Sequence, residues 1–232
     1  MAASYIARRE ELETYFDRTA VEAWKRLTSD APLGRIRATV RAGRDAMRAT
    51  LLSWLPANMD GLRLLDAGCG SGALAVEAAR RGADVVAVDI SPTLVRLAEE
   101  RAPRGLSGGS ITFAVGDMLD PPSGRFDYIV AMDSLIHYEG PDIAHALATL
   151  AARADRSVAF TIAPRTPALS VMHAVGRMFP RGDRAPAIVP IAQAALERFM
   201  RGEPTLNAWR VSRGHRIANG FYLSQALELT PP

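Results

Sequence analysis

Between Leu64 and Ala73 the chain reads Leu-Leu-Asp-Ala-Gly-Cys-Gly-Ser-Gly-Ala, an apolar run that meets a carboxylate and then breaks into alternating glycines. Few folds accommodate such a segment. The apolar run suits a strand buried on both faces. Glycines at alternate positions let the backbone turn sharply and approach a ligand with no Cβ in the way. The helix expected beyond Gly72 starts with unpaired N–H groups, which favour an anionic or polar ligand.

The rest of the chain is organised around that segment. Leu62–Asp66, Asp84–Asp89, Ile111–Val115, Phe126–Met132 and Ser157–Ala163 read as strands. Gly72–Arg81, Pro92–Arg101 and Asp142–Arg153 read as helices between them. Alternation of this kind predicts a parallel sheet with helices on both faces. Two further strands, Ala208–Arg213 and Tyr222–Leu229, are expected to form a hairpin around Gly214–Gly220, for seven strands in all. Two helices precede the sheet, over about Ser4–Leu27 and Arg35–Leu55, broken at Pro32-Leu33-Gly34. The expectation is an α/β, doubly wound, Rossmann-like sheet with an N-terminal helical lid. Residues 1–57 form the helical segment and 58–232 the sheet domain, with a substrate-side helical insertion over about 166–201.

Carboxylates recur at successive strand ends: Asp66, Asp89, Asp117 after Gly116, and Asp133. Open α/β sheets bind ligands at that edge, and a carboxylate about twenty residues past the glycine loop suits the hydroxyls of a ribose. Asp66 suits an ammonium, and Asp117 the amino group of an adenine. Gly68, Gly70 and Ala73 also satisfy a looser dinucleotide pattern, so a NAD-dependent oxidoreductase is a competing reading. Against it, the chain ends in a hairpin where a second mononucleotide half would be needed. The combination of Asp66, the glycine loop, Asp89 and Asp117 resembles the class I S-adenosylmethionine methyltransferases. That resemblance implies S-adenosyl-L-methionine as methyl donor, with S-adenosyl-L-homocysteine as product. Its candidate donor-binding residues are Asp66, Gly68, Gly70, Gly72, Asp89 with Ile90, Asp117 with Met118, and Asp133. On the second helix Arg37, Arg41, Arg44 and Arg48 share one face. That face is either solvated or meets a donor carboxylate, a propionate or anionic lipid, and Arg44 is the choice for the donor carboxylate.

Composition narrows the substrate. A formal charge of +3 is too small for a nucleic-acid footprint. Asp133-Ser134-Leu135-Ile136-His137-Tyr138 lacks the Asn/Asp-Pro-Pro-aromatic signature of base amino-group methylation. The single cysteine, Cys69, excludes an internal disulfide and two-cysteine pyrimidine chemistry, and it suits a reducing compartment such as the cytoplasm. No run of apolar residues is long enough to span a bilayer. His, Asp and Glu show no metal-ligand spacing, so no protein metal site is expected. These exclusions favour a small-molecule acceptor.

Asp133–Tyr138, together with Ala163-Pro164-Arg165-Thr166-Pro167, Phe179–Pro186, and Tyr15-Phe16 followed by Trp24, resembles the magnesium-protoporphyrin IX O-methyltransferases of (bacterio)chlorophyll synthesis. The resemblance implies methylation of one propionate of the magnesium porphyrin. It assigns His137 and Tyr15 to catalysis, and makes Arg165, Arg181 and Arg184 the candidates for the propionates. It departs from the family at Thr19–Ala23, where many relatives carry a Gly-Phe-like stretch. It further implies contact with the large subunit of magnesium chelatase, and a cytoplasmic location with peripheral attachment to the intracytoplasmic membrane. The competing acceptor is another small molecule such as a quinone precursor, and a non-catalytic porphyrin carrier is a third reading.

Overall fold

The computed structural model describes residues 3–19, 34–106, 108–122, 124–165 and 187–231. Helix α1 (Ala3–Thr14) passes directly into one π-helical turn, Tyr15–Thr19. Helix α2 covers Arg35–Ser53. Then β1 (Arg63–Ala67), α3 (Ala73–Arg80), β2 (Asp84–Asp89), α4 (Pro92–Arg101), β3 (Ser110–Val115) and β4 (Phe126–Ala131) alternate. A 3-10 turn, Leu135–His137, leads to α5 (Gly140–Ala151) and β5 (Ala154–Ile162). Helix α6 (Gln193–Met200) precedes the closing strands β6 (Arg210–Asn219) and β7 (Tyr222–Thr230).

The strands form one seven-stranded sheet in the order β3-β2-β1-β4-β5-β7-β6. The first five are parallel, and β7 inserts antiparallel between β5 and β6. The order reverses beside β1, so the glycine loop lies at the switch point where this fold class opens a crevice. Successive residues of a strand face opposite sides, and the core divides accordingly. Leu64, Val85, Ala87 and Val130 pack with Met47, Leu51 and Leu55 of the α2 region and Leu74 and Ala78 of α3. Leu65, Val86, Val88 and Ile129 face the other way, onto Ile143, Leu147 and Leu150 of α5. Helix α2 is thus a packing helix of the sheet.

Gly43 lies in the middle of α2, where glycine costs roughly 1 kcal/mol relative to alanine. The reason is local: a Cβ there would fall 2.5 Å from Cδ1 of Tyr222. The ring of Tyr222 lies against the bare backbone of the helix.

Two expectations change. The segment Gly214–Asn219 belongs to β6, and the hairpin turns on Gly220 and Phe221 alone, with Gly220 at φ +56°. The expected loop was read from Gly214 and the polar residues around it. Their register against β7 runs through His215↔Ala226 and Asn219↔Tyr222, so β7 imposes the strand. Strand β5 also starts three residues early, at Ala154, because its polar start pairs with Phe126. Residues 166–186 of the expected helical insertion, with Arg181 and Arg184 among them, lie outside the described residues, as does most of Thr19–Ala23.

Phe160 on β5 is fully buried in the core beneath α5. Phe160→Ala should lower unfolding free energy by about 3–5 kcal/mol, measured by urea denaturation, because it leaves a cavity the packed layers cannot close.

Candidate active site

The glycine loop follows β1 with Gly68, Gly70 and Gly72 all at positive φ, which other residues adopt only at a cost. Gly68 and Cys69 donate their N–H groups to the carbonyl of Val88 at 2.8 and 3.0 Å, tying the loop to β2. A Cβ on Gly68 would lie 2.5 Å from Cβ of Ser134, so the segment that follows β4 closes in from the other side. The loop, the strand ends, α1 and α2 enclose a cavity of about 330 Å³.

Every donor-binding candidate named from the sequence except Gly72 lines this cavity: Asp66, Gly68, Gly70, Asp89, Ile90, Asp117, Met118, Asp133 and Arg44. Their states differ. Asp89 accepts from the N–H of Gly70 at 2.8 Å and of Ser91 at 3.0 Å. Burial still raises its pKa, and these backbone bonds oppose the rise. Asp66 is 2% exposed and its Oδ2 has no hydrogen-bond partner. Burial, with the Asp89 carboxylate adding to it, pushes Asp66 up to about 7, against the pull of the Ala75 N–H. A buried acceptor without a donor is costly in isolation, and a cationic ligand group answers it.

Asp117 is already engaged. It accepts from Tyr5 Oη at 2.8 Å, Arg9 Nη1 at 3.0 Å and the N–H of Leu119 at 2.9 Å. Tyr5 stacks on Tyr138 with ring centroids 4.8 Å apart. Asp133 stands at φ +56°, alone among described non-glycine residues in that region. Its carboxylate accepts from Arg44 Nη1 at 2.8 Å and Tyr222 Oη at 3.0 Å.

His137 is 8% exposed and lines the cavity. Its Nδ1 lies 3.4 Å from the carbonyl of Ala187, which as an acceptor requires the proton on Nδ1 and leaves Nε2 with its lone pair. Burial holds the imidazole down at about 4, although Ala187 and the Asp133 carboxylate favour the cation. Tyr15 is absent from the cavity wall. The π turn brings Phe16 there instead, edge-on to His137 at 5.9 Å, with Tyr15 edge-on to Phe16 at 5.3 Å. Asp17 pins this turn to α4, accepting from the N–H of Thr93 at 3.2 Å and its hydroxyl at 2.7 Å. Arg165 is exposed, outside the cavity wall, and Arg41 and Arg48 of α2 stand in that wall. Tyr5, Arg9, Leu12 and Phe16 of the N-terminal segment, and Tyr138, are wall residues that sequence reasoning missed. Burial raises the Cys69 thiol well above its ordinary value, which disfavours the thiolate.

Sheet order, glycine loop and strand-end carboxylates together define a class I S-adenosylmethionine-type methyltransferase. A methyltransferase-domain family model matches residues 64–155, and a model described as the magnesium-protoporphyrin IX methyltransferase C-terminus matches residues 131–231. The chain is 48% identical over 232 residues to a magnesium-protoporphyrin O-methyltransferase of Rhodobacter capsulatus, covering 100% of both chains. A Synechocystis protein of the same name is 30% identical over 217 residues, 92% of each. The crystal structure of magnesium protoporphyrin IX methyltransferase from Synechocystis PCC 6803 with bound S-adenosylhomocysteine superposes with a TM-score of 0.83 at 28% identity, covering 97% of this chain and 100% of that one. The chain belongs to the magnesium-protoporphyrin O-methyltransferase family.

The state of Asp66 carries a stability signature. Its folded pKa lies above its unfolded value, so the ligand-free fold loses stability as pH rises from about 4 to about 7, and the penalty is constant beyond. Asp66→Asn should flatten that part of the profile. Thermal melts of both proteins across this range check it, and parallel profiles would contradict it.

Proposed function

We propose that this protein transfers a methyl group from S-adenosyl-L-methionine to a propionate carboxylate of magnesium protoporphyrin IX, giving the monomethyl ester. The observation that carries the reading is the end-to-end match, at 48% identity, to the Rhodobacter capsulatus O-methyltransferase. The direct test is mass spectrometry of magnesium protoporphyrin incubated with the protein and the methyl donor. One methyl per porphyrin is expected, and no mass gain would refute the activity.

The residues present fit the donor. The partnerless Oδ2 of Asp66 answers an ammonium, and the guanidinium of Arg44 a carboxylate. Asp89 keeps a lone pair on each oxygen beyond its two backbone bonds, enough for ribose hydroxyls. Gly116, Asp117 and Met118 frame the adenine end. When bound, the donor supplies a sulfonium methyl. The carboxylate of Asp133 is filled by protein partners, so Asp133 contributes through its backbone and through Arg44.

A propionate titrates near 4 to 5, by analogy with glutamate, and is ionised at neutral pH. No general base is required, and the neutral His137 matches that. Its Nδ1 proton is committed to Ala187, so Nε2 accepts and cannot donate to a carboxylate. It suits a Lewis acid, and magnesium in the porphyrin is one; a histidine that ligates metal through one nitrogen commonly donates its other N–H to a carbonyl. Phe16 and the α1 residues cover the cavity and exclude water as a lid. Tyr15 supports that lid through Phe16.

For the propionates, Arg41 and Arg48 are the described candidates in the cavity wall. Arg181 and Arg184 remain proposals on the substrate-side segment over about 166–201, and Arg165 stands at its start. Among described residues no helix is long and apolar enough to cross a membrane. Peripheral attachment is proposed at the β6–β7 turn, where Phe221 is 63% exposed next to β6, which carries exposed Arg213 and Arg216. Contact with the large subunit of magnesium chelatase is proposed because a flat apolar product is best passed directly.

His137→Ala should lower turnover on magnesium protoporphyrin on the order of a hundredfold, as misplacement of a nucleophile does. It should also erase the preference for the magnesium porphyrin over the metal-free one. With the imidazole held at about 4, wild-type turnover should stay flat between about pH 6 and pH 8.5. Steady-state rates with both porphyrins check this, and a rate that climbs across that range would restore a base role.

A further inference from the structure

We infer that Tyr222 and Thr161 are positioning residues of the methyl-transfer site, which act through Asp133 to set the guanidinium of Arg44. The inference rests on the reading of Arg44 as the partner of the donor carboxylate. Asp133 just beyond β4, Thr161 of β5 and Tyr222 of β7 stand on three neighbouring positions of the sheet. They gather at the edge where the cavity opens. Each makes a specific contact. The N–H of Asp133 donates to Thr161 Oγ1 at 2.7 Å, and that hydroxyl lies 3.3 Å from Asp133 Oδ1. Tyr222 Oη reaches both carboxylate oxygens, at 3.0 and 3.2 Å. Arg44 Nη1 completes the set at 2.8 Å on Oδ2.

Burial gives these contacts weight. Thr161 is 0% and Tyr222 8% exposed, and the side chain of Asp133 is 5% exposed. Asp133 also stands in the left-handed region, a conformation that persists when the surroundings over-determine it. Thr161 fixes its N–H, and Tyr222 with Arg44 fixes its carboxylate, so strand end and side chain are held from two directions. Gly43, one residue before Arg44, has no side chain, and the ring of Tyr222 fills the space a Cβ would need. The same tyrosine therefore sets the approach of α2 to the sheet and, through Asp133, the direction of its arginine. Burial and the Asp133 carboxylate both raise the Tyr222 phenol, so it remains a donor at any working pH.

The alternative is that Tyr222 merely packs. Calorimetric affinities for S-adenosylhomocysteine in Tyr222→Phe, Arg44→Ala and the double variant separate the two, with thermal midpoints alongside. Removing the Tyr222 hydroxyl should weaken binding about tenfold, and the double variant should be no weaker than Arg44→Ala, because coupled residues are non-additive. In turnover the loss should appear in the KM for the donor and much less in kcat. Thr161→Val, which also deletes only a hydroxyl, repeats the test from the neighbouring strand. Unchanged affinity in Tyr222→Phe, with a loss in Arg44→Ala, overturns the proposal alone. So do losses that multiply in the double variant. Unchanged affinity in Arg44→Ala overturns the reading of Arg44 and the proposal with it.

Discussion

Four carboxylates stand at or just beyond the ends of four adjacent parallel strands, and their desolvation is the constraint around which the site is built. An ionised carboxylate withdrawn from water is unfavourable unless donors or cations surround it. Asp89 is answered by backbone N–H groups of the loop and of Ser91, and holding those donors in place fixes the loop. Asp117 is answered by Tyr5 and Arg9, which brings α1 over the cavity. Asp133 is answered by Arg44, Tyr222 and Thr161, which ties α2 and β7 to the centre of the sheet. Asp66 alone keeps an oxygen with no protein partner. The unanswered carboxylate is therefore the one that a cationic ligand group completes.

The chemistry asks little of acid–base catalysis. A propionate is its own nucleophile at neutral pH, so the protein's task is to hold two charged ligands, one anionic and one sulfonium, in line and dry. The mixture of wall charges suits that task. Arg9 of α1 and Arg44 of α2 pair directly with the strand-end carboxylates Asp117 and Asp133, and apolar surface comes from Leu12, Phe16, Leu94 and Met118.

Much of this architecture is legible in the sequence, and what is not has identifiable causes. Asp84–Asp89 was recovered whole because a strand buried on both faces reads as an unbroken apolar run. The glycine loop and its carboxylates were visible because their chemistry is local in sequence. Strand β6 was cut short because it is an edge strand, mostly exposed, with arginines and Gly214 in it, and only its pairing with β7 makes it regular. Phe16 was passed over because the choice of Tyr15 rested on the family resemblance and not on helix geometry; the π turn places Phe16 in the cavity wall with Tyr15 edge-on to it. The Tyr222–Asp133 contact joins residues 89 apart. Its one trace in the sequence is Gly43, a residue that helical propensity disfavours and tertiary contact explains.

Helix α1 is fastened differently from the rest of the protein. Only Tyr5 and Leu12 of its residues are buried, and its other ties are polar: Ser4 to Asp142, and Tyr5 and Arg9 to the single carboxylate of Asp117. Segments with few buried apolar contacts open locally at a small fraction of the global unfolding free energy. The door of the cavity is thus held more lightly than the walls, with only Tyr5 and Leu12 of the helix joining the core on that side of the sheet. Substitutions that erode the sheet core lower the melting temperature and leave the door's latch untouched, whereas added salt weakens the Arg9–Asp117 ion pair and loosens the latch with little effect on the walls.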